Sequence, residues 1–345
     1  MEEFDFVDHY GDADEVAQTN ELPQNEVECA LNCAFIGVGG GGGKLAKAFL
    51  DIGFNKTLLI NTTAKDQPDN VDPKHLVLIP DADGVAKNVE FGKDVFGQNS
   101  AVVEDALRTK LGKVDWIFVL AGGGGGTGSA CHALDDVFKR YLKSVGAEGK
   151  VFYIVTWPTS QELLNSTIAK NALSLSNDVK SSPHIILDNE RQVKILRGKV
   201  GMSKLFPTAN SAFAKLLTQT FKLASEKSAI QSFDSKDLER CLKQQNRMLV
   251  GTTVIRDPNV DNLGAMIYQN CLKRSPCPSS QEKSKTGALL LVVSPEMADD
   301  PNISQHMDAA ISYVGGRTET LFSGVYIRDN VPGLVAILLM GGIKK

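Results

Sequence analysis

No apolar run in this chain approaches the roughly 20 residues needed to span a bilayer, and its first residues hold no basic segment followed by an apolar one. Neither a membrane-spanning helix nor a secretory leader is expected. Basic residues are missing from the start: the first lysine or arginine is Lys44. Cysteine is scarce, and Cys29, Cys33, Cys131, Cys241, Cys271 and Cys277 form no C-x-x-C pair. Reduced, mostly buried thiols in a cytoplasmic protein follow from that spacing. A net charge of −4 over 345 residues supplies no overall attraction for nucleic acid.

What is present is acid at one end and glycine in two places. Residues 1–28 hold ten carboxylates and no lysine or arginine. Their apolar content is too low and too irregular to fold alone, so residues 1–29 read as an acidic, flexible extension. Two readings stand for it. One is a solvated tail; the other is a docking arm for an adaptor or cargo complex, with Phe4, Phe6, Val7 and Tyr10 as anchors among the acids.

The glycine is concentrated in "IGVGGGGGKL" (residues 36–45) and "AGGGGGTGSA" (residues 121–130), each with five glycines in a row. A glycine loses more backbone entropy on folding than alanine, a cost of roughly 0.5–1 kcal/mol each. Both runs follow apolar strand-like segments, "CAFIGV" (33–38) and "DWIFVLA" (115–121), and both lead into helical patterns. Further strands are read at 57–61, 76–79, 151–156 and 184–187, alternating with helices. That alternation predicts a Rossmann-like parallel sheet. From residue 206 the pattern is helical for about forty residues, with a break near 231–235. Three later strands, "GALLLVVS", "ETLFSGVYIRD" and "GLVAILLMGG", and a helix near 304–313 read as a smaller α+β region.

A glycine turn between a parallel strand and a helix offers backbone N–H groups to an anion at the positive helix end. The Walker A pattern fails in the first run, where Val38 and Leu45 occupy its first-glycine and Ser/Thr positions. The dinucleotide pattern fits Gly37, Gly39 and Gly42, but the second strand ends on Asn61 where that reading needs an acid. A nicotinamide-dependent oxidoreductase therefore stays as a lesser alternative. Two glycine turns on one sheet edge favour a nucleoside triphosphate held from two sides.

Further segments carry the comparison onward: "LLINTTAKD", "GVAKNVEFGKD", "TWPTSQE", "LDNERQV", "TANSAF" and "FDSKDLERCLKQQNRMLVGTT". With the two glycine runs, and in this order, they resemble the tubulin/FtsZ superfamily over about residues 31–343. The pattern is nearest to bacterial FtsZ and to plasmid and phage TubZ proteins. The resemblance implies a nucleotide-binding domain over 30–205, a connecting helix over 206–230 and a C-terminal activation domain over 231–345, with a synergy loop at 231–237.

It also implies a ligand, GTP or GDP with Mg2+ held mainly by the phosphates, and a set of binding residues. Gly39, Gly40, Gly41, Gly42, Gly43 and Lys44 come from the first run. Asn61 and Thr62 follow the second strand, and Gly84, Ala86, Lys87 and Asn88 would lie near the γ-phosphate. Gly123, Gly124, Gly125, Gly126, Thr127 and Gly128 match the signature loop, with Ser129 beside them. Pro158 and Glu162 fall at the ribose, and Asn189 and Asn210 at the base, although both asparagines also suit a plain cap or turn. Asp234 and Asp237 match the two acids that one subunit projects onto the nucleotide of its neighbour, and "FDSKD" is equally a good helix-capping sequence. The family pattern is broken at Lys44, Ala130 and Ser232, where the first and last replace asparagine and the second glycine. The implied activity is GTP hydrolysis activated by head-to-tail polymerisation in a bacterial or phage-infected cytoplasm. Its implied role is DNA, plasmid or phage positioning, with a division filament or a non-hydrolysing polymer as alternatives.

Overall fold

The computed structural model describes residues 21–80, 82–148, 150–278 and 283–343. The anchors proposed at Phe4, Phe6, Val7 and Tyr10 lie outside the described residues.

Among the described residues, ten strands form one sheet: β1 (Cys33–Val38), β2 (Thr57–Asn61), β3 (Leu76–Leu78), β4 (Trp116–Gly122), β5 (Lys150–Trp157), β6 (Pro183–Asp188), β7 (Asn246–Ile255), β8 (Ser284–Val293), β9 (Thr318–Ile327) and β10 (Leu334–Ile343). Their order is β3-β2-β1-β4-β5-β6-β7-β10-β8-β9. All neighbours are parallel except β10, which runs antiparallel to β7 and β8. β1 is buried along its whole length and β4 over all but its last residue, as strands covered on both faces must be.

Among the described residues, twelve α-helices accompany the sheet: α1 (Gly39–Leu50), α2 (Val89–Gln98), α3 (Ser100–Leu111), α4 (Gly126–Ser129), α5 (Asp135–Ser144), α6 (Ser166–Val179), α7 (Asn189–Leu196), α8 (Leu205–Leu223), α9 (Ser235–Leu242), α10 (Leu263–Arg274), α11 (Pro295–Ala298) and α12 (Pro301–Gly315). On one face, α1 and α8 bury Phe49, Phe213 and Phe221 against Phe35 and Phe118. That core continues without a break under α10 and α12. On the other face, Phe96, Leu107, Phe138 and Leu175 of α2, α3, α5 and α6 form a second core.

Several elements differ from the sequence reading. The first glycine run is not a loop: residues 39–43 are the first turn of α1. Residues 89–98 form a helix with Asn88 as its N-cap, its side chain accepting from the Phe91 N–H at 3.1 Å. The helical pattern that follows the second glycine run is broken into α4, a short 3-10 turn and α5. β7 begins where the helical stretch was read to end, over residues the sequence reading gave no strand, and it joins β6 so that the C-terminal strands extend the same sheet. The connecting helix ends at Leu223 rather than at residue 230.

The end of the acidic extension is packed down. Leu22 is buried in the α3-side core, while Val27 and Leu31 are buried in the opposite one. Between them Asn25 donates to the Cys33 carbonyl and accepts from the Lys56 N–H, at the beginnings of β1 and β2. Residues 21–31 thus pass beneath the amino ends of the strands. Glu21 holds the ammonium of Lys56, itself 1% exposed, at 2.8 Å.

Candidate nucleotide site

The carboxyl ends of β1, β4, β5 and β6 surround a cavity of about 450 Å³. A crevice at this end of a parallel sheet is where such folds take ligands. Gly40 and Gly41 of α1 form one wall. Gly123, Gly124, Gly125, Gly126, Thr127 and Gly128, running from β4 into α4, form the facing one. Gly84, Ala86 and Lys87 close a third side, and Pro158, Glu162 and Asn189 follow β5 and β6.

The N-termini of α1 and α4 both reach this cavity, and no side chain caps either of them. Val38 and Gly125, the residues at those cap positions, have no side-chain acceptor to offer. The first N–H groups of each helix are therefore available to an anion, and the dipole of the twelve-residue α1 adds to the attraction.

Close packing holds the two walls together. A Cβ at Gly42 would stand 2.1 Å from the Leu120 carbonyl oxygen, so α1 lies directly on β4. Gly39 combines a φ of +70° with a Cβ position 2.8 Å from the Gly128 nitrogen. Gly42 and Gly39 thus serve contact between the runs, and Gly43 packs near Leu59 and Pro68. At Gly125 there is nothing within 4 Å of a Cβ.

Other expected residues act behind the cavity wall. Asn61 is buried, and its Oδ1 accepts from the Thr62 N–H at 2.8 Å. Thr62 shares a 2.8 Å hydroxyl contact with Thr127, tying the β2 loop to α4. Ser129 is fully buried without a hydrogen-bond partner for its hydroxyl, and it does not line the cavity. Glu162 Oε2 accepts from the N–H and hydroxyl of Thr159 at 2.7 and 2.9 Å, which fixes the loop after β5.

Lys44 and Asn210 do not line this cavity. They border a second one of about 860 Å³ between α1, residues 65–70 and α8, which also takes in Phe206. Asp66 lines both cavities, so they adjoin there. The two asparagines expected at the base are thereby split, Asn189 on one cavity and Asn210 on the other.

Asp234 and Asp237 line neither. Asp234 caps α9, its Oδ1 accepting from the N–H groups of Lys236 and Asp237 at 2.8 and 3.0 Å. Burial, and then the neighbouring Asp234 charge, raise the carboxyl of Asp237 above the ordinary aspartate range. α8 lines the second cavity as far as Lys215 and continues to Leu223, about 12 Å further at 1.5 Å per residue, before the loop that leads to these acids.

Three further residues belong to the site. Asp66 and Thr63 line the cavity. Asn171, buried in α6, donates to the carbonyls of Lys87 and Gly124 at 2.9 and 3.1 Å and so clamps two walls to each other. An amide inside an apolar helix face was the available signal for it. Ala86 and Lys87 hold φ values of +46° and +61°, a strained backbone in the wall that carries the one lysine lining the 450 Å³ cavity among the described residues. Also among the described residues, no group of three or more His, Cys, Asp or Glu is placed to hold a metal, and no helix is long and apolar enough to cross a membrane.

No protein-family model matches this chain. It is 24% identical over 226 residues to the cell division protein FtsZ of Buchnera aphidicola subsp. Baizongia pistaciae, a match covering 64% of this chain and 56% of that relative. The chain thus spans little more than half the length of this curated relative. Its fold is similar to the GTPgS-bound protofilament of CetZ2 from Haloferax volcanii, with a TM-score of 0.74 and 20% identity over 91% of this chain and 94% of that one. It is also similar to GDP-form protofilaments of TubZ from Bacillus thuringiensis serovar israelensis (TM-score 0.73, 16% identity, 92% and 89% covered). The FtsZ dimer of M. jannaschii gives 0.63 at 18% identity, with 90% and 87% covered.

Proposed function

We propose, from the tubulin/FtsZ fold that this chain has, that it binds and hydrolyses GTP and assembles head to tail into filaments. The observation that carries the binding is the pair of uncapped helix N-termini aimed at one cavity. Two such ends suit the successive phosphates of a nucleoside triphosphate. Lys87 supplies a positive charge there, and the second cavity, with Phe206, Asn210 and Lys44, is roomy enough for a base. A dinucleotide reading is disfavoured because Asn61, at the end of β2, is buried and committed to Thr62. The chemistry of the cavity fits Mg2+ held chiefly by phosphates, with Asp66 and Glu162 the carboxylates beside them.

Hydrolysis needs positioned charge more than covalent chemistry. Asp234 and Asp237 line neither cavity of their own chain. In a head-to-tail contact they reach the nucleotide of the next subunit and orient the attacking water. The TubZ-like "AKNVEFG" segment and the TubZ fold similarity favour a role in positioning plasmid or phage DNA over one in division.

The rate of GTP hydrolysis per subunit is expected to rise with protein concentration through the range in which filaments sediment. A per-subunit rate that stays flat across that range rules the reading out.

A further inference from the structure

β9 is the outermost strand of the sheet, and residues 228–233 run along its open side. The Val325 N–H donates to the Gln231 carbonyl at 2.8 Å, and the Ser228 hydroxyl donates to the Val325 carbonyl. Gln231 Nε2 reaches Ser323 Oγ at 2.9 Å. The innermost of these ties is Tyr326, which is 1% exposed. Its hydroxyl accepts from the Phe233 N–H at 3.0 Å and donates to the Leu223 carbonyl at 2.7 Å, with the Phe233 carbonyl at 3.2 Å as a second acceptor. One oxygen therefore joins three things: the last residue of α8, strand β9, and the residue just before Asp234. The ring is equally fixed, since a Cβ at Gly324 would lie 2.7 Å from it and 3.0 Å from the Phe233 Cβ. Asp234, by contrast, is exposed, and its carboxylate bonds only within its own helix turn among the contacts described.

We propose that Tyr326 is a positioning residue for hydrolysis: its hydroxyl fixes the Asp234–Asp237 turn against the end of α8. The inference rests on the filament-GTPase reading and deepens it. Within its own chain, among the contacts described, the Asp234 carboxylate is oriented only by N–H groups of its own helix turn. The buried face of α9 seats that helix on the sheet; the turn at its start is held by the backbone that precedes it, and Tyr326 is where that backbone is tied. The same oxygen transmits any shift of α8, whose other end carries Asn210, to the acids.

The test uses the full chain with Tyr326→Phe, which keeps the ring and removes the hydroxyl. GTP affinity by equilibrium binding, and polymer mass by sedimentation with a slowly hydrolysed GTP analogue, are expected within about twofold of the unmutated protein, while kcat falls about tenfold or more, as misplacement of catalytic groups does. Tyr153→Phe is the control for a merely structural loss. It also deletes a buried tyrosine hydroxyl, one bonded to Asp135 at 2.7 Å far along the chain from the acids, and its kcat is expected to stay near that of the unmutated protein. An unchanged kcat in Tyr326→Phe, or equal falls in both variants, overturns the proposal. If Tyr326→Phe does not fold, Ser323→Ala loosens the same loop from a partly exposed site. A smaller fall in kcat with binding retained then supports the proposal, and no fall overturns it. Absence of GTP binding and hydrolysis in the unmutated chain would overturn the filament reading instead, and this inference with it.

Discussion

At the residue scale, the two glycine runs contain glycines of different kinds. At Gly42 and Gly126 a Cβ would stand 2.1 Å from the Leu120 oxygen and 2.5 Å from a Val85 methyl. Gly42 faces rigid backbone, so Gly42→Ala must push α1 off β4. Overpacking of that sort costs about 1–3 kcal/mol or more. At Gly125 the space is open and φ is −87°, so alanine fits the fold. The expected outcome is a split. Gly42→Ala lowers the urea midpoint strongly. Gly125→Ala leaves it unchanged and weakens GTP binding at least tenfold, because its methyl enters the space beside the helix N-terminus. Equal stability of the two variants, or unaltered GTP affinity in Gly125→Ala, contradicts this division. The sequence shows that the glycines are needed but cannot say for what, because contact between runs eighty residues apart exists only after folding. Thr127 was legible from its place at a helix start; Asn171 was not, since its two acceptors belong to loops 84 and 47 residues away.

At the element scale, strands flanked by glycine turns were legible because their apolar runs are short, β-branched and sharply bounded. β7 was not. "NRMLVGTTVI" follows an amphipathic helix whose periodicity runs into it, and short apolar runs do not distinguish helix from strand by period. The boundary is set by Asn246 at a φ of +72°, which no helix continues through. The acidic extension shows the reverse problem: its charge masks Leu22, Val27 and Leu31, which anchor residues 21–31 beneath the sheet. The tie from Glu21 to the buried Lys56 has a testable consequence. Removing only the acid, as in Glu21→Ala, strands an ammonium in the interior. Because Glu21 is 45% exposed, solvent tempers the loss to about 1–2 kcal/mol. Lys56→Met removes the charge together with its need for a partner and is expected to be near neutral or stabilising. Urea unfolding of both variants checks the order; a larger loss for Lys56→Met would show that the pair itself supports the fold.

At the scale of the whole molecule, one sheet and one connecting helix carry both the cavities and the acids, at separate points. Asp234 and Asp237 line neither cavity of their own chain, which does not suit an enzyme that works alone. It does suit a heterologous contact, which repeats along a line without closing. If each site takes its cavity from one subunit and its acids from the next, two inactive variants must complement each other. Asp237→Ala keeps the cavity and lacks an acid. Gly125→Asp keeps the acids and sets a negative charge where the phosphates bind, at a position with room for the side chain. Each alone is expected to hydrolyse little GTP. In an equal mixture, random head-to-tail contacts join an intact cavity to intact acids about one time in four, so the rate recovers toward about a quarter of the unmutated value. Electron microscopy of the mixture confirms that shared filaments form. Filaments containing both variants but showing no recovered hydrolysis would place the whole active site within one chain.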